Sequence, residues 1–253
     1  MSRYFIEVAY KGTRYSGFQV QENAATIQSE IEKAFCTIQG WQPADGEKSL
    51  LTGSSRTDAG VHARQNYFHF DFEEALHPQL GYKMNAVLPR DIVVKSIRPV
   101  PAEAHCRFDA RSRSYAYYIH RAKDPFLTET SLYYPYKIDE AVLHRAAAFL
   151  AAQQDFSGFA KTNAQVKTHM CSIYESTWQV DGEQLIFRIE ANRFLRGMVR
   201  LLTATQLKLA RGKLSFAEFE QMFNGGRKSA YSMPAHGLFL SAVNYPDGYF
   251  EKA

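Results

Sequence analysis

Between Tyr67 and Phe72 every second residue is phenylalanine. Phe68, Phe70 and Phe72 fall on one side, and Tyr67, His69 and Asp71 on the other. Alternation this rich in aromatics predicts a half-buried β-strand, because successive side chains of a strand leave opposite faces. Just before it, Gly53 to Gly60 reads GSSRTDAG, the chemistry of a tight loop. A short loop with Arg56, Thr57, Asp58 and His62 is therefore fixed against a rigid strand, the way scaffolds present reactive groups.

The chain has 253 residues, enough for one large domain or two modest ones. A hydrophobic content of 45% and a charged content of 22% are those of an ordinary soluble globular protein. No apolar run approaches a membrane span and Met1 to Tyr10 has no signal-peptide core, so a cytoplasmic location is expected. Cys36, Cys106 and Cys171 are far apart with no CxxC, which argues against a disulfide framework and a zinc site. They are expected as buried apolar residues. A formal charge of +4 permits a nucleic-acid partner without demanding one.

In the first half, Arg3 to Tyr10 alternates as a strand and runs into KGTRYSGFQ, which reads as a solvated turn. Thr26 is the expected N-cap of a helix with Ile27, Ile31, Ala34, Phe35 and Ile38 inward. A polar loop from Trp41 to Ser49, a strand Ser49–Thr52, the strand to Phe72, a helix around Pro78 to Val87 and a strand from Asp91 to Val100 follow. Pro99-Val-Pro101 marks the expected boundary, giving domains 1–101 and 102–253.

In the second half, Arg107 to Arg121 predicts a strand with Arg107, Asp109, Arg111, Arg113, Tyr115, Tyr117 and Ile119 on one face. Basic groups interleaved with aromatics suit single-stranded nucleic acid, charge for phosphate and rings for bases; a solvated edge is the other reading. An Ala-rich helix over Asp139 to Gln154, a polar loop from Lys161 to Lys167, and strands Cys171–Val180 and Gln184–Ala191 joined at Asp181-Gly182 come next. A helix is then expected from Asn192 to Arg211. At about 100° per residue, Arg193, Arg200 and Arg211 lie within about 20° of one another, with Arg196 and Lys208 about 60° to either side. No acidic residue occurs between Glu190 and Glu218, so this face reads as a phosphate-tracking stripe. Ser215 with Glu218 forms a capping box for a short helix that Asn224-Gly-Gly226 stops, and a last strand covers Leu238–Tyr245.

From the residues alone, Asp58 has two readings: an Asx-turn carboxylate bonded to its own loop, or a reactive carboxylate with Arg56 as charge partner. The eight residues RTDAGVHA resemble the signature of the bacterial tRNA pseudouridine synthase A family, whose RTDAG aspartate is the nucleophile. Further elements are similar. YKGTRYSGFQ, with Arg14, resembles the family's RNA-contacting YDGTxFxGWQ, with Lys11, Tyr15 and Phe18 departing from it. Arg113-Ser114-Tyr115 matches an R-x-Y motif whose tyrosine stacks on the target uracil. ANRFLRGMVRL overlies ANxFLxxMVRN, whose arginine, here Arg200, pairs with the catalytic aspartate; Leu201 replaces the usual Asn. PAHGLFL resembles the closing PAxGLxL.

The resemblance implies an α+β fold of two pseudo-repeated domains, each an antiparallel sheet with helices on one face, around a central basic cleft. It implies isomerisation of uridine to pseudouridine in the anticodon stem-loop of tRNA, at positions 38–40, by a homodimer. Asp58 would be catalytic and Tyr115, Arg200 and Arg56 would bind the flipped nucleotide. Arg14, Arg111, Arg113, Arg193, Arg196, Lys208 and Arg211 would contact RNA. Because an isomerisation keeps atoms and oxidation state, no cofactor or metal is expected. His62 is expected to brace the loop and His69 to be structural, while His236 has no assigned role. Two other functions stay open: a non-catalytic RNA-binding module or chaperone, and a hydrolase using Asp58 with His62.

Overall fold

The computed structural model describes residues 1–41, 49–160, 167–223 and 225–251. The sequence-expected loops over 42–48 and 161–166, and Asn224 of the helix stop, lie outside the described residues. In chain order the elements are β1 (Ser2–Tyr10), α1 (Ile27–Gln39), β2 (Thr52–Gly53), β3 (His62–Phe72), α2 (Leu80–Val87), β4 (Ile92–Val100), β5 (Ser112–His120), β6 (Leu132–Tyr133), α3 (Glu140–Ala151), β7 (Ile173–Asp181), β8 (Gln184–Ala191), α4 (Met198–Ala210), α5 (Phe216–Glu220) and β9 (Leu238–Asn244). They form two compact units, Met1–Arg111 with Leu240–Ala253, and Ser112–Phe239.

In the first unit β1 lies antiparallel between β3 and β4, β2 adds to β3, and β9 borders β3 on its other edge. Thr26 caps α1 as its sequence suggests, its side chain accepting from Ser29 N–H while Ser29 Oγ accepts from Thr26 N–H. Phe35 of α1 packs edge-on against Phe70 and Phe72. The strand expected to be half-buried is buried on both faces from Tyr67 to Phe70. The reason is the chain's last turn: Tyr245 and Phe250 pack on Tyr67, and with Tyr249 they surround Phe5.

The compact units divide ten residues later than the proline-based boundary at 101, and residues 240–251 return to the first unit. Side-chain bonds explain both. Arg3 Nη1 donates to Ala104 O (3.0 Å), Tyr245 Oη to Cys106 O (2.5 Å) and Tyr249 Oη to Asp109 Oδ2 (2.5 Å). Those bonds keep 104–109 out of β5, so Arg107, Asp109 and Arg111 precede the strand expected to contain them.

In the second unit β8 lies antiparallel between β5 and β7, with β6 parallel to β5. Tyr117, Phe187 and Trp178 line up across the three strands, and Trp178 Nε1 donates to Gln206 Oε1 of α4 (2.9 Å). Helix α3, capped by Asp139, packs on β7, and a ring cluster of Phe149, Phe216, Phe219 and Phe223 joins it to α5. Each unit thus has a mainly antiparallel set of strands with two or more helices, β6 being the parallel exception, and the whole has the α+β architecture expected.

Candidate active site

The RTDAG loop of the first unit is gripped from below by polar groups that water does not reach. Thr57 Oγ1 and Tyr10 Oη are hydrogen bonded at 2.8 Å, and Asn66 Nδ2 donates to Tyr10 Oη (3.2 Å) and to Ser55 O (2.8 Å). Asn66 is wholly buried on β3, and its Oδ1 accepts from Tyr67 N–H (2.9 Å). Phe18 N donates to Thr57 O (3.1 Å), and Val61 N to Asp58 O (3.1 Å). Ser55 and Thr57 are consequently buried, whereas Arg56 is exposed and Asp58 half-buried.

The KGTRYSGFQ stretch, expected as a solvated turn, instead forms the second jaw of this grip. Gly12–Arg14 is a single 3-10 turn, and Tyr15 and Phe18 are buried, Phe18 stacked on Phe68 at 4.5 Å. Gly12 N donates to His62 Nδ1 (2.9 Å), and a side chain at Gly12 would collide with the Val61 carbonyl. Gly17, at φ +110°, would put a side chain's first carbon 3.1 Å from the Thr57 carbonyl oxygen, a tight but lesser approach. His62 braces the loop as expected, accepting at Nδ1 from deep within the core. Arg14 is exposed with its Nε 3.6 Å from Asp91 Oδ2, and Asp91 Oδ1 also accepts from Tyr15 Oη (2.6 Å). Burial and that carboxylate push the Tyr15 phenol well above its usual range.

In the second unit Tyr115 is half-buried on β5, opposite Ile189, with its ring edge-on to Phe194 at 5.0 Å. Arg113 precedes it by two residues on the same face, its Nη1 3.5 Å from Asn192 O. Tyr117, the other tyrosine expected on an RNA-facing surface, is wholly buried and donates to Pro234 O (2.8 Å). Burial raises its pKa, and the neighbouring Arg200 guanidinium opposes that rise. Arg200 itself stands on α4. It is half-buried, donating from Nε to Met233 O (2.6 Å), while its own carbonyl accepts from Met233 N (3.2 Å).

The expected cationic face running from Asn192 to Arg211 does not exist as drawn. The helix begins at Met198, because Gly197 takes a left-handed φ of +74° at its N-cap, and Leu195 is buried before it. Arg193 and Arg196 lie in the connection from β8, and Arg211 is the C-cap. Every residue of α4 except Arg200 and Lys208 is buried, so this is a core helix. Lys208 Nζ rests over the Tyr231 ring, and the Arg211 guanidinium lies 3.7 Å from the centre of Tyr136, with Nη1 donating to Tyr134 Oη (3.3 Å). Arg111 is exposed, its N–H donating to Asn244 O (2.8 Å).

Sequence spacing also missed a cluster of His69, His105 and Cys106, whose side-chain donor atoms lie within 4.8 Å of one another. Such a trio is the right chemistry for a metal ion, yet its atoms already serve the fold. Cys106 Sγ donates to Thr52 O and contacts His69 Nδ1, both at 3.2 Å, and His105 Nδ1 accepts from Arg107 N–H (3.1 Å). Tyr10 and Asn66, which hold the loop, were likewise unreadable as site residues. Tyr10 was visible as the end of a strand and the start of YKGTRYSGFQ, and no local pattern links positions 10, 57 and 66.

Comparison with known proteins finds relatives over nearly the whole length of the chain. The family model described as tRNA pseudouridine synthase matches residues 6–109 and 146–246. A tRNA pseudouridine synthase A of Porphyromonas gingivalis is 42% identical over 257 residues, covering 99% of this chain and all of the relative. Proteins of the same description from Parabacteroides distasonis and Bacteroides fragilis are each 40% identical, covering 99% of this chain and 98% and 99% of their own lengths. With the family model matching well over half of its residues, the chain belongs to the tRNA pseudouridine synthase family, a family of isomerases.

Proposed function

We propose that this protein converts uridine to pseudouridine in the anticodon stem-loop of tRNA, at positions 38–40, with Asp58 as the nucleophile. The observation that supports it most is the RTDAG loop itself. Buried Tyr10, Thr57 and Asn66 hold the loop, with Arg56 exposed and Asp58 half-buried at its turn.

A uracil stacked in a stem is out of reach, so the nucleotide must first be flipped out. Tyr115 replaces the lost stacking partner, and Phe194 fixes its ring edge-on. Arg56 and the cations Arg14, Arg111, Arg113, Arg193 and Arg196 engage phosphates, as RNA binding requires. The Asp58 carboxylate bonds to C1′ of the ribose as the C1′–N1 bond breaks and N1 takes the electron pair. The uracil turns, C5 attacks C1′ and Asp58 leaves. The C5 proton passes to water and N1 gains one, so substrate and product contain the same atoms. In the family pattern that ANRFLRGMVRL resembles, Arg200 is the charge partner of the catalytic aspartate, and that role is carried over here. A cytoplasmic setting and a second copy of the chain in a homodimer belong to the same reading.

The test is a tRNA transcript tritiated at C5 of uridine. Wild-type protein should release the label to water, and Asp58→Asn should bind tRNA with unchanged affinity and release none. Normal turnover by Asp58→Asn would refute the nucleophile. Binding without release by the wild type would favour an RNA-binding module, and cleavage of the base or strand a hydrolase.

A further inference from the structure

A concave patch of the second unit collects Lys208 near the end of α4, Lys213 just beyond it, and Arg227 and Lys228, with Glu218 as the one carboxylate in its lining. The charges are positioned rather than scattered. Glu218 is held by the Ser215 capping box and forms an ion pair with Arg227, fixing that guanidinium at the rim. Lys213 N donates to Lys208 O (2.9 Å), which sets the two lysines on one short turn. Lys208 lies over the ring of Tyr231, which remains 51% exposed. Four cations against one engaged carboxylate, beside an accessible aromatic, is the pairing that single-stranded nucleic acid needs. Lysine ammonium groups act as point charges and suit the tracking of a phosphodiester chain; a forked, bidentate hold on one small anion favours arginine.

We infer that this pocket is a second RNA-binding site, in which Lys208, Lys213 and Lys228 hold phosphodiester groups and Tyr231 stacks a base. The inference rests on tRNA being the substrate. It adds Lys213, Lys228 and Tyr231 to the binding surface, none of which carries a motif of the reaction centre.

The experiment compares wild type with Lys213→Glu/Lys228→Glu and with Tyr231→Ala, measuring tRNA binding over a range of salt together with tritium release. The double variant should bind tRNA roughly tenfold more weakly at low salt, with the slope of log affinity against log salt smaller by about 1–2. Its KM should rise with turnover at saturating tRNA kept. Tyr231→Ala should weaken binding about tenfold. Unchanged affinity and slope in the double variant would overturn the inference. So would saturable binding of inorganic phosphate that the double variant loses while tRNA affinity stays, because the pocket would then serve a small anion. Failure of the underlying function looks different, since wild-type protein would then release no tritium from any tRNA.

Discussion

Asp58 and Arg200 both emerge from compact, well-packed units, but what lies beneath them differs. Under Asp58 is a buried polar lattice, Tyr10, Thr57, Asn66, Ser55 and His62, each bonded across elements distant in sequence. Under Arg200 is an apolar helix sealed on nearly every side, next to a sheet face of Tyr117, Phe187 and Trp178. Directional bonds fix where a loop atom sits, whereas apolar packing fixes an element and leaves a long side chain to be aimed by one or two contacts. A group that must form a bond is better mounted in the first way, and groups that bind by charge and stacking tolerate the second.

The severest test of that contrast is Asn66→Ala. It removes a buried donor that holds both Tyr10 and Ser55, at a cost of about 2–3 kcal/mol, or roughly a hundredfold in turnover if the loss falls on loop geometry. Single-turnover tritium release should fall while tRNA affinity stays. Equal turnover in the variant would show that the lattice does not position Asp58.

Acid should separate the two units next. Burial, helped by His105 and Arg3, pushes the His69 imidazole down to about 4 from its ordinary 6.5. The unfolded chain therefore takes up this proton at a higher pH than the folded one. The stability held by neutral His69 is complete above about pH 6.5 and is lost as pH falls to about 4, up to about 3 kcal/mol. Hydrogen exchange at pH 7 and pH 5 should show the first unit loosening before the second, and His69→Asn should flatten the dependence. Simultaneous loosening would erase the distinction.

Tyr115→Ala should cost about 1–3 kcal/mol of base stacking, about tenfold or more in tRNA affinity, while Tyr115→Phe keeps the ring and the affinity. Direct titration of tRNA checks both. The smallest effect is expected at Arg211, whose guanidinium is engaged with Tyr134 and Tyr136. Arg211→Ala should lower stability by about 0.5–1 kcal/mol and shift tRNA affinity less than about threefold. A tenfold loss of affinity would return Arg211 to the phosphate contacts.

The same contrast explains what could be read from the sequence. Local signals were legible: the Thr26 and Ser215 caps, the turn at Gly182, the alternation of β3 and the RTDAG loop are each written within a few residues. Long-range bonding was not. Nothing near Asn66 announces Tyr10, and nothing near Tyr67 announces that Tyr245 and Phe250 will cover it. The misreading at 192–211 came from carrying a helical period through Gly197, whose left-handed backbone ends the register and puts Arg193 off the helix. Charge counted along a sequence also ignored Tyr134 and Tyr136, which occupy Arg211 through their ring faces.

The aromatic cover over Phe5 and Tyr67 has a consequence for biosynthesis. Strand β1 is translated more than 200 residues before Tyr245, Tyr249 and Phe250, which surround its Phe5. The unit that bears Asp58 therefore waits, one face uncovered, while residues 112–239 are translated. A nascent chain that has not yet reached Tyr245 holds the RTDAG loop on a sheet whose aromatic cover is still missing.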